Sequence, residues 1–173
     1  EQLCESAALL DFMMARFKAQ MQEIYGAELV NAVFATNLAD PVALQGRMSA
    51  MKEFSATDNF SDLRATFKRV MGLTKEYPSI RYSSDALVDE SEKALHNQFS
   101  TLHQQVNDAL AENRYFDALS ALGKLKPFVD NLFDSVMIMV EDEEIKSNRL
   151  GLLNAIANQF RKIADFTMLS TDG

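Results

Sequence analysis

Apolar residues recur at alternating spacings of four and three along almost the whole chain, and that rhythm leaves few folds open. Leu3, Ala7, Leu10, Met14, Phe17, Met21 and Ile24 form one such stripe. On a 3.6-residue repeat they share one side of a helix of about six turns, which Gly26 closes. A short helix is predicted next, with Val30, Val33 and Phe34 facing inward. Asp40-Pro41 reads as an N-cap followed by proline in the first turn, ahead of a helix burying Leu44, Met48 and Met51. Phe60, Leu63, Phe67, Val70, Thr74 and Tyr77 repeat the spacing until Pro78, which pushes its predecessor out of helical angles. Residues 78–84 are the one turn-rich stretch, and the domain boundary is placed there: a helical domain or connector over 1–80, a second helical domain over 84–173.

In the second half, Ser84 and Asp85 are expected to start a helix of about 25 residues carried by Val88, Leu95, Phe99, Leu102, Val106 and Leu110. A shorter helix runs from Tyr115 to Leu122 and stops at Gly123. Pro127 opens a further one, with Val129, Leu132, Phe133, Val136 and Met137 inward; the Met-rich run Val136–Val140 is read as core. Asp142, Glu143 and Glu144 cap a long last helix with Leu150, Leu153, Ala157, Phe160 and Ile163 on its buried face. Sustained period-two alternation is missing throughout, so the fold class is all-α: two helical bundles in tandem. The supply of core material agrees, at 47% hydrophobic residues with 12 Phe and 9 Met, against only 6 Gly and 3 Pro.

The chemical inventory is thin. A single cysteine, Cys4, excludes an internal disulfide or a Cys-based metal site and fits a reducing cytoplasm. The two histidines, His96 and His103, stand seven residues apart, about 10 Å along one helix, too far to share an ion unaided. The sequence contains neither a glycine-rich phosphate loop nor a nucleophile elbow. We therefore expect no catalytic residue, no metal and no cofactor within these 173 residues. The longest purely apolar run is too short to cross a bilayer. A chain that opens on Glu1 inside a helical pattern is expected to be part of a longer one.

Net charge is −8, spread unevenly: residues 1–83 carry 10 acids and 9 bases, residues 84–173 carry 15 acids and 8 bases. Nonspecific nucleic-acid binders carry the opposite sign, because displacing phosphate counterions takes Lys and Arg. Any RNA contact must then be local. Arg64, Lys68 and Lys75 fall within about 40° on a helical wheel, with Arg69 nearby. Lys124 and Lys126 flank a helix junction, and Lys146, Arg149, Arg161 and Lys162 lie along the last helix.

Ala118-Leu119 with Leu122, Leu125 and Pro127-Phe128-Val129-Asp130 begins a more specific pattern. It continues through Leu132–Met139, Asn148-Arg149-Leu150 and Leu152-Leu153 to Phe160–Phe166. Together this run resembles the C-terminal anticodon-binding domain of the bacterial glycyl-tRNA synthetase beta subunit, itself related to the helical anticodon-binding domain of arginyl-tRNA synthetases. Upstream, Arg47-Met48, Met51, Phe54 and Phe67-Lys68-Arg69-Val70 resemble the helical region preceding that domain. The pattern departs at Met71-Gly72-Leu73 and at Lys146, where arginine is commoner.

The resemblance implies binding of the tRNA(Gly) anticodon arm, in support of glycylation by an alpha2beta2 enzyme. ATP and glycine would then sit on the alpha subunit, and the partners would be that subunit and the rest of the beta subunit. Glycine anticodons end in two cytosines, whose amines a carboxylate or carbonyl accepts. On this reading Lys124, Lys126, Arg149 and Arg161 hold phosphates, with Lys162 beside them, while Arg64, Lys68 and Lys75 track the stem. A non-catalytic helical protein-interaction module stays open as the alternative, and a hydrolase remnant ranks last.

Overall fold

The computed structural model describes the backbone of residues 2–58 and 60–170, with side chains described from Ala8 onward; the side chains of Leu3, Cys4 and Ala7 lie outside the described residues. Helices follow one another as α1 (Gln2–Tyr25), α2 (Ala27–Phe34), α3 (Pro41–Ser55), α4 (Phe60–Thr74), α5 (Glu90–Ala111), α6 (Tyr115–Gly123), α7 (Lys126–Ser135) and α8 (Glu143–Arg161), and no strand forms among the described residues. Several ends are written into the sequence. Asp40 caps α3 by accepting the Val42 and Ala43 N–H groups, and Asp142 does the same for Glu144 and Ile145 of α8. Between α1 and α2 the backbone turns through Gly26 at φ 87°, a left-handed angle that costs glycine nothing.

The middle of the α1 stripe packs as expected: Met21 is buried and Met14 and Phe17 lie against the core, while Leu10 and Ile24 at either end face solvent. α3 buries Leu44, Met48 and Met51, and α4 buries Leu63, Phe67, Val70 and Thr74. On α8, Leu150, Leu153, Ala157 and Phe160 are buried, followed by Ile163 just beyond its end.

These faces meet in one continuous core. Phe67 of α4 lies on Phe160 of α8 with ring centroids 3.9 Å apart, and Phe160 in turn meets Phe166 edge-on at 5.2 Å. Thr66 donates to Asp130 of α7 at 2.8 Å, and Lys68 to the Leu169 carbonyl at 2.8 Å. The core therefore runs across residues 78–84, where the turn-rich composition had suggested a boundary. That stretch is a strap laid over α8. Asn154 donates to the Tyr77 and Ser79 carbonyls at 2.7 and 2.9 Å, and Asn148 exchanges two hydrogen bonds with the Ser83 backbone at 2.7 and 3.1 Å. Gly151, on the same face, lets the Arg81 carbonyl close in where any Cβ would collide with it.

Two expectations of local structure are corrected. The helix predicted from Ser84 is a 3₁₀ turn over Ser84–Ala86, and α5 starts only at Glu90, where Asp89 and Glu92 form a capping box; Val88 is outside the helix and exposed. Residues 136–140 are not helical: Val136 is extended at φ −136° and ψ 149°, the chain bends at Ile138 and Met139, Ile138 is buried, and Met137 and Met139 are exposed.

Candidate nucleic-acid interface

The cations singled out in the sequence divide into three groups. Arg149 is internal. Its guanidinium pairs with Glu92, the two side chains 10% and 2% exposed, and its Nη1 donates to the Met137 carbonyl at 2.7 Å. A phosphate cannot reach it without breaking that pair, so its expected role as a phosphate holder is corrected to that of a brace between α8, α5 and the 136–140 segment.

A second group is exposed or half-buried but scattered and partly engaged. Lys126 pairs with Asp130 one turn on. Lys124 is exposed beside it at the α6–α7 junction. Lys68 is held by the Leu169 carbonyl, and Arg64 lies over the Phe60 ring at 5.6 Å from its centroid. Arg64 and Lys68 are thus engaged within the protein, while Lys75 stands exposed just past the end of α4, beside the strap.

The third group converges. One hollow is lined by Thr36, Leu38, Arg47, Asn158, Arg161 and Lys162, and a second by Thr74, Lys75, Tyr77, Asn154, Asn158 and Arg161 among others. They share Asn158 and Arg161, so the two hollows adjoin, a divided groove across the C-terminal end of α8. Four cations border it, Arg47, Lys75, Arg161 and Lys162, and its lining includes no carboxylate among the described residues. In a chain of net charge −8 this is a local exception.

Three of the four cations are placed by partners of their own. Arg47 of α3 lies over the Tyr115 ring at 4.4 Å, donates Nη1 to the Tyr115 hydroxyl at 2.9 Å, and donates Nε to the Lys162 carbonyl at 2.9 Å. Arg161 reaches the Asn154 amide oxygen at 2.5 Å and the Thr74 hydroxyl at 2.8 Å, and the two together aim it. Burial lowers the Arg161 pKa, opposed by the nearby Asp165 carboxylate; guanidinium remains charged regardless. Lys162 rests its ammonium on Gln159 at 2.9 Å, and Lys75 is exposed. Clustered at the C-terminal end of α8, these charges also suit the negative end of its dipole. Sequence reasoning found three of the four. Arg47 stands out in the sequence only within the resemblance, since nothing local joins it to residues more than a hundred positions away.

Other titratable groups are placed structurally. Tyr82 bonds His96 Nδ1 at 2.8 Å, with its hydroxyl pKa raised by burial, and His103 packs edge-on against Phe99. Among the described residues, no three His, Cys, Asp or Glu side chains gather as they would around a metal ion.

Residues 65–169 match the family model described as the DALR anticodon binding domain, a span running from α4 through the end of α8 to the Phe166–Met168 turn. The chain belongs to the DALR anticodon-binding domain family. Within this DALR domain lie Lys75, Arg161 and Lys162 of the groove, while Arg47 enters from α3 ahead of it. Full-length relatives are similar over nearly the whole chain. The glycine–tRNA ligase beta subunit of Persephonella marina is 34% identical over 164 residues, covering 94% of this chain and 23% of that protein. The beta subunit of Aeromonas hydrophila is 37% identical over 166 residues, covering 93% and 24%. That of Geobacter sp. strain M21 is 35% identical over 162 residues, covering 94% and 24%. The chain therefore spans about a quarter of the length of these relatives. No helix among the described residues is long and apolar enough to cross a membrane.

Proposed function

We propose that this chain is the anticodon-arm-binding part of a glycine–tRNA ligase beta subunit, and that the groove formed by Arg47, Lys75, Arg161 and Lys162 carries the RNA backbone. The convergence of four cations on a lining that holds no carboxylate, with Asp165 beyond it, is the observation behind it, because phosphates bind where positive charge is concentrated and not where net charge is averaged. Asn158, between the two hollows, supplies a side-chain amide able to donate to a phosphate or accept from a base. Main-chain carbonyls and carboxylates near the groove can take the cytosine amines of a glycine anticodon. Glycine activation, with its ATP, belongs in this proposal to a separate alpha subunit. The full enzyme then joins that subunit, the rest of the beta subunit and tRNA(Gly), in the cytoplasm.

Fluorescence anisotropy with a labelled glycine anticodon stem-loop tests this, with a loop carrying uracils in place of the two cytosines as control. Preferential binding of the cytosine loop is expected. Lys75→Ala with Lys162→Ala should weaken binding of both loops and reduce the log–log salt slope by about two, one for each phosphate no longer neutralised. Both lysines are exposed, so the fold should survive, and an unchanged slope would remove the groove from the proposal.

A further inference from the structure

α8 carries its charges at opposite ends. Arg161 and Lys162 lie at the C-terminal end, beside the groove; Asp142, Glu143 and Glu144 lie at the N-terminal end. Its 19 residues hold the two ends about 27 Å apart. The acidic end is not a simple solvated cap, because a buried ion pair organises it.

Glu92 accepts the Val88 and Asp89 N–H groups at 2.7 and 3.1 Å through one oxygen and the Arg149 guanidinium through the other. Arg149 passes the connection to the Met137 carbonyl at 2.7 Å. One ion pair thus ties the segment before α5 to the segment before α8. Both segments turn apolar side chains outward: Val88 is 63% exposed, Met137 74% and Met139 57%, while the neighbouring Leu87 and Ile138 are buried. The same two segments and their flanks carry Asp85, Asp89, Asp134, Glu141, Asp142 and Glu144. The cations there are Lys93 and Lys146, paired with Glu90 and Glu143, and the exposed Arg81 on the strap, outnumbered by those carboxylates.

An ordinary connection between α7 and α8 needs neither a desolvated ion pair beneath it nor methionines on its outer side. Burying the pair costs solvation, and what it yields is one fixed arrangement of the exposed residues. Surrounding carboxylates would repel a polyphosphate and attract lysine and arginine. Methionine suits an adaptable apolar contact.

We infer that the Val88, Met137 and Met139 face is a docking surface for a protein partner, one that presents apolar side chains flanked by lysines or arginines. This surface is independent of the groove, so the chain would hold RNA at one end of α8 and protein at the other. Photocrosslinking in the full-length protein tests it. Benzoylphenylalanine is placed at Met139 in cells of the source organism, with the same group at exposed Ser100 on α5 as the background, and captured peptides are read by mass spectrometry. The expected result is a protein cross-link from position 139 well above that from position 100, to a peptide in which apolar residues adjoin Lys or Arg. Adding Met137→Ser and Glu144→Lys should lower its yield about fivefold, the effect of losing one apolar anchor. Benzoylphenylalanine at Val88 should reach the same peptide. Cross-links to RNA, to a peptide without basic residues, or no excess over position 100 would overturn the inference, whatever the anticodon loop does at the groove.

Discussion

Removing two charges from water costs several kcal/mol per ion, and only close pairing with every remaining lone pair satisfied returns it. Glu92 and Arg149 meet that condition, with the carboxylate taking two backbone N–H groups besides the guanidinium. Deleting one partner is therefore worse than never having had the pair. Arg149→Met should destabilise the protein by about 3–5 kcal/mol, because it leaves the Glu92 carboxylate buried and unpaired; chemical denaturation reads this directly. A loss of less than about 1 kcal/mol, typical of an exposed pair, would mean the pair is solvated. Nothing in the local sequence marks Arg149 as internal. Its partner lies 57 residues away, and an arginine in the second turn of an acid-capped helix looks like part of a solvated face. The neighbouring Asp89 is a half-buried cap whose place the sequence assigns instead to Ser84 and Asp85. The Ser91 hydroxyl and N–H hold its pKa below the ordinary 3.8. A carboxyl whose pKa is lower folded than unfolded stabilises above its unfolded value and loses that stabilisation as pH falls through its folded one. Asp89→Asn keeps the cap but cannot titrate, so its melting temperature should fall less steeply than the wild type's below about pH 4. Parallel acid limbs would show that Asp89 does not contribute.

Among the elements, α8 shows why a helix face can be specified by a missing side chain. Asn148, Gly151 and Asn154 recur every three residues, and all three serve the strap of residues 77–83: two by hydrogen bonds, one by yielding room to the Arg81 carbonyl. Gly151→Ala should cost about 1–3 kcal/mol, since the obstacle is main chain that is itself pinned on both sides. Gly72→Ala, in α4 with open space around it, should instead stabilise by about 0.5–1 kcal/mol through helix propensity alone. Equilibrium urea unfolding of the two variants checks both signs. Equal effects would mean that the strap shifts freely. The helices themselves were legible because a four-three apolar rhythm reports a buried face whatever it packs on. The strap was not. A turn-rich composition says that residues 78–84 are not helical, and it is silent on whether they bridge two domains or lie across one. Residues 136–140 escaped for a related reason: five consecutive apolar residues carry no period, so Val136 and Met137 continue the α7 stripe in the sequence, while the chain leaves the helix at Ser135. Of the groove, Lys75, Arg161 and Lys162 were visible as cations, but their convergence depends on α3 and the strap.

At the scale of the whole molecule, the question is whether the second half can stand without the first. α4 supplies Leu63, Phe67, Val70 and Met71 to the core, and Phe67 covers the ring of Phe160, itself completely buried. Burial of each such side chain stabilises by about 1.5–3 kcal/mol, so removing all four withdraws on the order of 6–12 kcal/mol. That is comparable to the entire stability of an ordinary domain, about 5–15 kcal/mol. Thr74 and Tyr77 would go too, and with them partners of Arg161 and Asn154 that aim the groove. Residues 84–173 alone should therefore be compact but uncooperative, binding a hydrophobic dye and melting without a sharp transition. Residues 60–173 regain α4 and the strap and should melt cooperatively, though less stably than the whole chain, which still adds the α2 and α3 contribution. In the intact protein, fluorescence and circular dichroism should report one coincident transition. A sharp, reversible transition in residues 84–173 would restore the boundary at 78–84, and would require that Phe160 and Phe166 find cover without α4. The groove would then be an interface between two units, with Arg47 and Lys75 on one and Arg161 and Lys162 on the other, and its affinity for RNA would vary with the angle between them.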